Sequence, residues 1–255
     1  MDNPGEARPP DPPDRDPGDT SERISAIVSD PLPRGALTEN VEGRTATRPE
    51  DGFGKLWHKR YWIRLAGSTI TPGELIEVWK ARYTEFWPKG SRLYQPPDGL
   101  EQGDVAAADL AMIGGTRVGT GIVVTGERDT AFTFASLQGH TFNGTITFTG
   151  RDDGDVTVAQ VEVVARASDP LYELFMPLGG HWHENRFWQS SLRALARNFG
   201  VEARPEMSME CLDTRRNWRN AGNIVHNAFL HTTAYLVARP FRQLSRRLRS
   251  RVAAT

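Results

Sequence analysis

The sequence predicts an α+β protein in which a curved antiparallel sheet closes over a long C-terminal helix. Three observations carry that expectation. From Asp104 to Arg166, short segments alternate apolar and polar residues with the two-residue period of half-buried strands. Glycines 119, 121, 139 and 144 lie in or beside those segments, where they permit a strongly bent sheet. From His181 to Phe199, residues Trp182, Trp188, Leu192, Leu195 and Phe199 recur at helical spacing. Local pairing dominates, and no repeating strand–helix–strand unit is present.

The elements follow in order. Leu56 to Leu65 is rich in aromatic and β-favouring residues and reads as a first strand. Gly67-Ser68 turns the chain, and Thr71-Pro72-x-Glu74 opens a helix with proline at its first position. Leu75, Val78, Trp79, Tyr83 and Phe86 continue at helical spacing until Pro88 stops the run, and Ser91 to Gly103 reads as loop. Strands are expected at Val105–Ile113, Arg117–Thr125, Thr130–Ser136, Thr141–Thr149 and Val156–Arg166. In the last of these the apolar phase changes near Gln160, which predicts a bulge. Ser168-Asp169-Pro170 starts a helix, Pro177 and Gly179-Gly180 interrupt it, and Gly200 ends its continuation from His181 to Phe199.

Composition divides the 255 residues into three parts. Residues 1–51 hold nine of the seventeen prolines and twice as many acids as arginines. So little apolar surface cannot offset about 1–2 kcal/mol of ordering entropy per residue, so a disordered acidic tail is expected. Residues 52–203 carry the sheet and long helix. Residues 204–255 read as a basic amphipathic helical extension, because no acid follows Asp213. Beyond Pro240, Phe241, Leu244, Leu248 and Val252 share a helical face, with Arg242, Arg246 and Arg249 beside it. That face could lie on an anionic membrane surface, meet a protein partner, or pack on its own domain. Nucleic acid is not favoured as a partner, since the whole chain has a formal net charge of −1.

The lone Cys211 forms no intrachain disulfide, and the first thirty residues lack a basic-then-apolar leader. A cytoplasmic protein is the expectation, with a peripheral membrane position as the alternative. Asn223 to Ala238 is the most apolar part of the tail, and is too short and too polar to span a bilayer.

The segment Phe134-Ala-Ser-Leu-Gln-Gly-His140-Thr-Phe-Asn-Gly144-Thr-Ile-Thr-Phe148 resembles one found in uncharacterised bacterial members of the helix-grip superfamily. This is the START and Bet v-like group, also called SRPBCC proteins. Thr145 and Ile146 replace acidic residues that often follow the second glycine there. The resemblance spans roughly Leu56 to Phe199. It implies an internal cavity between sheet and helix that binds an apolar small molecule or lipid, without a cofactor. Some relatives of this type are cyclases, dehydratases or hydrolases, so an enzyme on the same scaffold is the alternative.

Candidate ligand-binding residues are Trp79, Tyr83, Arg117, Phe134, His140, Phe148, Val163, Trp182 and Asn185. His140, after a glycine at a turn, is the candidate acid–base group, its pKa range being near neutrality; a turn histidine bonded to backbone is the commoner case. His181 and His183 with Glu184 invite a metal, but side chains two apart on a helix diverge by about 200 degrees. No metal is therefore expected, and Glu184 suits a helix N-terminus instead. Arg117, Glu162 and Arg166 face either the pocket or water. The chain shows no phosphate-binding glycine loop, dinucleotide fingerprint, nucleophile elbow or paired-cysteine metal pattern.

Overall fold

A computed structural model describes residues 40–95, 100–112 and 115–238. Its strands are β1 (Leu56–Arg64), β2 (Arg92–Tyr94), β3 (Val105–Ala111), β4 (Arg117–Arg128), β5 (Ala131–Ser136), β6 (Phe142–Asp153), β7 (Val156–Ala167) and β8 (Glu206–Asp213). Its helices are α1 (Pro72–Ala81), α2 (Pro170–Phe175), α3 (His181–Asn198) and α4 (228–238). The strands form one antiparallel sheet in the order β2-β3-β4-β5-β6-β7-β1-β8. The meander from β2 to β7 is thus continued by the first strand and ended by the last.

Alternation decides which side chains enter the core. Tyr61 and Ile63 of β1, Phe132 and Phe134 of β5, Phe148 of β6 and Val161 and Val163 of β7 all project to the concave face. There they meet Leu75, Ile76 and Trp79 of α1 and Trp188, Leu192, Leu195 and Ala196 of α3. This is the helix-grip arrangement expected from the sequence. Phe132 and Phe148 stack at 4.5 Å, and Trp79 and Tyr83 meet them edge-on.

Helix boundaries follow local chemistry. At α1, Thr71 accepts from the Glu74 amide while the Glu74 carboxylate accepts from the Thr71 amide, a reciprocal cap. Asp169 caps α2 by accepting from the amides of Leu171 and Tyr172. A single π turn, Met176–Gly180, joins α2 to α3 at a kink where Gly179 has φ 128°. Gly200, at φ 73°, follows the end of α3.

Four expectations need correction. Residues 40–51, read as tail, are packed: Val41 is fully buried with Val105, Ala107, Val123, Ala135 and Leu137 on the face away from α3. Residues 92–94, read as loop, form β2, a strand of three residues that leaves too little pattern to see. Residues 206–213, assigned to a helical extension, are β8, paired with β1 from Trp57 to Trp62. No bulge occurs at Gln160, because β7 stays in register with both β1 and β6 there. The apparent phase change arises because the inward positions 157 and 159 are Thr and Ala rather than large apolar residues. Register shifts occur instead between Val124 and Gly126 and between Leu56 and Trp57. Residues 1–39 of the acidic tail, and Arg242, Arg246 and Arg249, lie outside the described residues.

Candidate functional site

The two halves of α3 meet different surroundings. Its second half, from Leu192 on, is enclosed by the filled aromatic and aliphatic core. Its first half faces a cavity of about 270 Å³. The sheet supplies Ala108, Leu110, Ile122, Phe134, Phe142 and Ile146 to the wall. Helix α3 supplies His183, Glu184, Phe187 and Trp188, and the segment after α1 supplies Tyr83 and Trp87. Tyr172, Phe175, Met176 and Gly180, around the kink, and Phe229 of α4 close the remaining side. Phe175 is 46% exposed, so the wall reaches the surface there. Leu174, Leu178 and Trp182 are exposed on the same kinked segment.

His140 is part of this wall although only 4% exposed. Its Nδ1 accepts from the Phe142 amide at 3.2 Å and lies 3.3 Å from the Thr141 hydroxyl. Burial pulls its pKa down to about 4, against a smaller raising effect of the Phe142 backbone. The ring is therefore a neutral imidazole at physiological pH.

One ion pair borders the cavity. Lys59 falls on the inward face of β1 with Tyr61 and Ile63, and is 2% exposed. Its ammonium donates to the Glu184 carboxylate and lies 3.0 Å from His181 Nδ1. Burial, with the Lys59 and Lys55 charges, pulls the His181 pKa down to about 4. Beside it, the Tyr61 hydroxyl donates to Asn185 Oδ1 at 2.7 Å. Glu184 thus lies in the first turn of α3, as expected, and also answers a buried ammonium.

The structure divides the sequence candidates. Tyr83, Phe134 and His140 are in the cavity wall. Trp79, Phe148 and Val163 are in the filled core. Asn185 holds the Tyr61 hydroxyl outside the wall, and Trp182 is 61% exposed, stacked near Arg186. Arg117 lies outside the wall and pairs with Asp109. On the outer face of β7, Glu162 pairs with His58 and Arg166 with Asp213. His181 and His183 do not converge on a metal: His181 meets Lys59, while His183 Nε2 lies 2.9 Å from the Ala111 carbonyl. Among the described residues no group of three metal-ligating side chains is assembled.

Several wall residues were missed in the sequence. Phe187 carried a signal, being an aromatic residue at a helical position, and now lies 5.4 Å from Trp87, one of the aromatic residues the sequence had already offered for the wall. Lys59, which lies behind the wall and pairs with Glu184, carried a clearer one, a charge at an inward position of an alternating strand. Phe229 carried none, because α4 reaches the cavity only through the closed fold.

These features define a helix-grip protein with an apolar chamber at one end of its gripped helix. No family model matches the chain, and no curated protein matches it. Solved structures similar to it include protein Ms6760 from Mycobacterium smegmatis, at TM-score 0.41 and 11% identity, covering 62% of this chain and 98% of that one. A major latex-like protein from Panax ginseng matches at TM-score 0.40 and 15% identity, covering 57% and 99%. The di-domain ARO/CYC StfQ of the steffimycin biosynthetic pathway matches at TM-score 0.44 and 14% identity, covering 60% of this chain and 54% of that one. No activity is carried over from any of them. No helix among the described residues is long and apolar enough to cross a membrane.

Proposed function

We propose that the protein binds an apolar small molecule in the chamber between its sheet and the first half of α3. The observation that carries this reading is the cavity itself, about 270 Å³ with a wall dominated by aromatic and aliphatic side chains. Apolar side chains around an unfilled hollow forgo contacts that a packed core would give them. An occupant that restores the missing contacts recovers much of that loss. Kinked backbone and half-exposed Phe175 at one side of the wall supply a path from solvent.

Native mass spectrometry of the purified protein tests the reading. A co-purifying apolar species, or stoichiometric displacement of an apolar fluorescent probe, is expected. A chamber filled by its own side chains in a crystal structure, with no probe taken up, would refute it.

A further inference from the structure

The exposed apolar side chains are not scattered. Of the twelve large ones at the surface of the described residues, four, Leu174, Phe175, Leu178 and Trp182, lie across the kink between α2 and α3. Six more fall between Trp218 and Val237. The two segments adjoin: Arg216 pairs with Glu173, Asn227 with Asp169, and the Phe229 ring lies 6.4 Å from that of Phe175. Single exposed apolar residues need no explanation, whereas a clustered set marks a contact surface.

Charge narrows what that surface meets. The carboxylates of residues 173–186 and 214–238 are Glu173 and Glu184, each tied to a cation, Arg216 and Lys59. Arg186 sits over the Trp182 ring at 5.7 Å and, like Arg219, pairs with no carboxylate among the described residues. Exposed Glu50 and Asp51 flank the 217–223 stretch, where Asn217 and Asn223 donate to their carbonyls, so the basic part of the surface is centred on the kink. Residues 239–255, which continue from α4, add arginines and no acid. A second copy, or that basic terminus, would set cation against cation. Residues 1–39 hold acids but no aromatic residue to cover such a surface. A bilayer with anionic headgroups offers both the negative charge and the apolar interior.

We propose that the α2–α3 kink, with the adjoining start of α4, docks on an anionic membrane surface. Leu174, Phe175, Leu178 and Trp182 enter the boundary between headgroups and acyl chains, and Arg186 meets lipid phosphate. The choice of a membrane rests in part on the chamber reading, because Phe175 belongs both to this surface and to the chamber wall. An apolar occupant then passes between bilayer and chamber at the kink without crossing water.

Cosedimentation of the full chain with vesicles tests the docking. The vesicles are phosphatidylcholine alone, or phosphatidylcholine with about one third phosphatidylglycerol. Binding to the mixed vesicles is expected, weakened by salt and reduced about tenfold by Leu178→Ser combined with Trp182→Ser. Both side chains are mostly exposed, so the double substitution is expected to leave the thermal midpoint unchanged. Absence of binding to mixed vesicles overturns the proposal. Equal binding by the double variant also does, handing the contact to another part of the chain. Sedimentation velocity without vesicles covers the rival occupant: a dimer that the double substitution dissociates assigns the surface to a second copy instead. If the variant does not fold, hydrogen exchange of the unsubstituted chain decides. Slowed exchange across residues 174–186 on mixed vesicles is expected, and unchanged exchange there rejects the docking. None of these measurements needs an occupied chamber, so failure of the docking and failure of the chamber reading are told apart.

Discussion

At the scale of single residues, His140 makes folding sensitive to acid. Its pKa falls from 6.5 to about 4 on folding because burial disfavours the imidazolium. The unfolded chain therefore binds more protons between those values, and stability rises with pH across the window. The contribution is fully present above pH 6.5 and is lost as pH falls toward 4, amounting to about 3 kcal/mol. His181 and His226 are shifted in the same direction and add to the slope. Urea unfolding at pH 7 and at pH 4.5 is expected to show a large loss for the native sequence and a smaller one for His140→Phe. Equal losses would contradict the buried neutral ring. The sequence made His140 visible through its neighbouring glycine and its type. Its burial was not legible, because that depends on the 226–229 segment closing over the turn. Gly139 shows how tightly: a Cβ there would lie 2.2 Å from the His226 carbonyl oxygen.

At the scale of elements, the caps explain why some boundaries could be read directly. Thr71-Pro72-x-Glu74 and Asp169-Pro170 contain within four residues the atoms that end their helices, so no tertiary knowledge was needed. Strand β8 lacked such a signal. Its Met207, Met209 and Cys211 alternate with Ser208 and Glu210, but the segment is an edge strand whose partner lies far away in sequence. Asp169 also does more than the local motif announces. It is fully buried, and its Oδ2 accepts from Asn227 Nδ2 at 2.7 Å. Asn227 in turn caps α4, accepting from the Leu230 amide. Two helix starts are thus joined through one carboxylate–amide pair. Asp169→Ala should cost about 3 kcal/mol, the loss of a cap together with a buried amide left unpaired. Asp169→Asn should cost less, because an amide oxygen still caps α2. Denaturant midpoints measure both, and a loss no larger than that of an exposed cap would rule out the coupling.

At the scale of the whole molecule, the foldable unit is wider than composition suggested. Residues 52–203 contain the meander and both gripping helices, yet they omit β8, Val41 and Phe229. Val41 is completely buried, and Phe229 forms part of the chamber wall. Asn40 Nδ2 binds the Gly119 carbonyl at 2.8 Å and lies 3.2 Å from the Thr232 hydroxyl, joining the beginning and end of the described chain. A fragment of residues 52–203 is expected to lose cooperative thermal unfolding, whereas residues 40–238 retain it. Calorimetry of the two fragments checks this, and a sharp transition in the shorter one would restore the narrower boundary. The sheet and gripped helix were readable because period and turn chemistry are local. The chamber's closing residues were not, because they come from segments brought together only by the finished topology.

The position of β1 between β7 and β8 has a consequence for biosynthesis. A ribosome adding about 5–20 residues each second leaves β1 waiting on the order of 5–20 s for β7, and longer for β8. Throughout that interval its Trp57, Tyr61, Trp62 and Ile63 belong to an unpaired aromatic ribbon, a template for association with other nascent chains. His58, Lys59, Arg60 and Arg64, interspersed among them, give the ribbon a basic character that opposes such stacking. The buried ammonium that later anchors Glu184 is thus also a guard against premature aggregation.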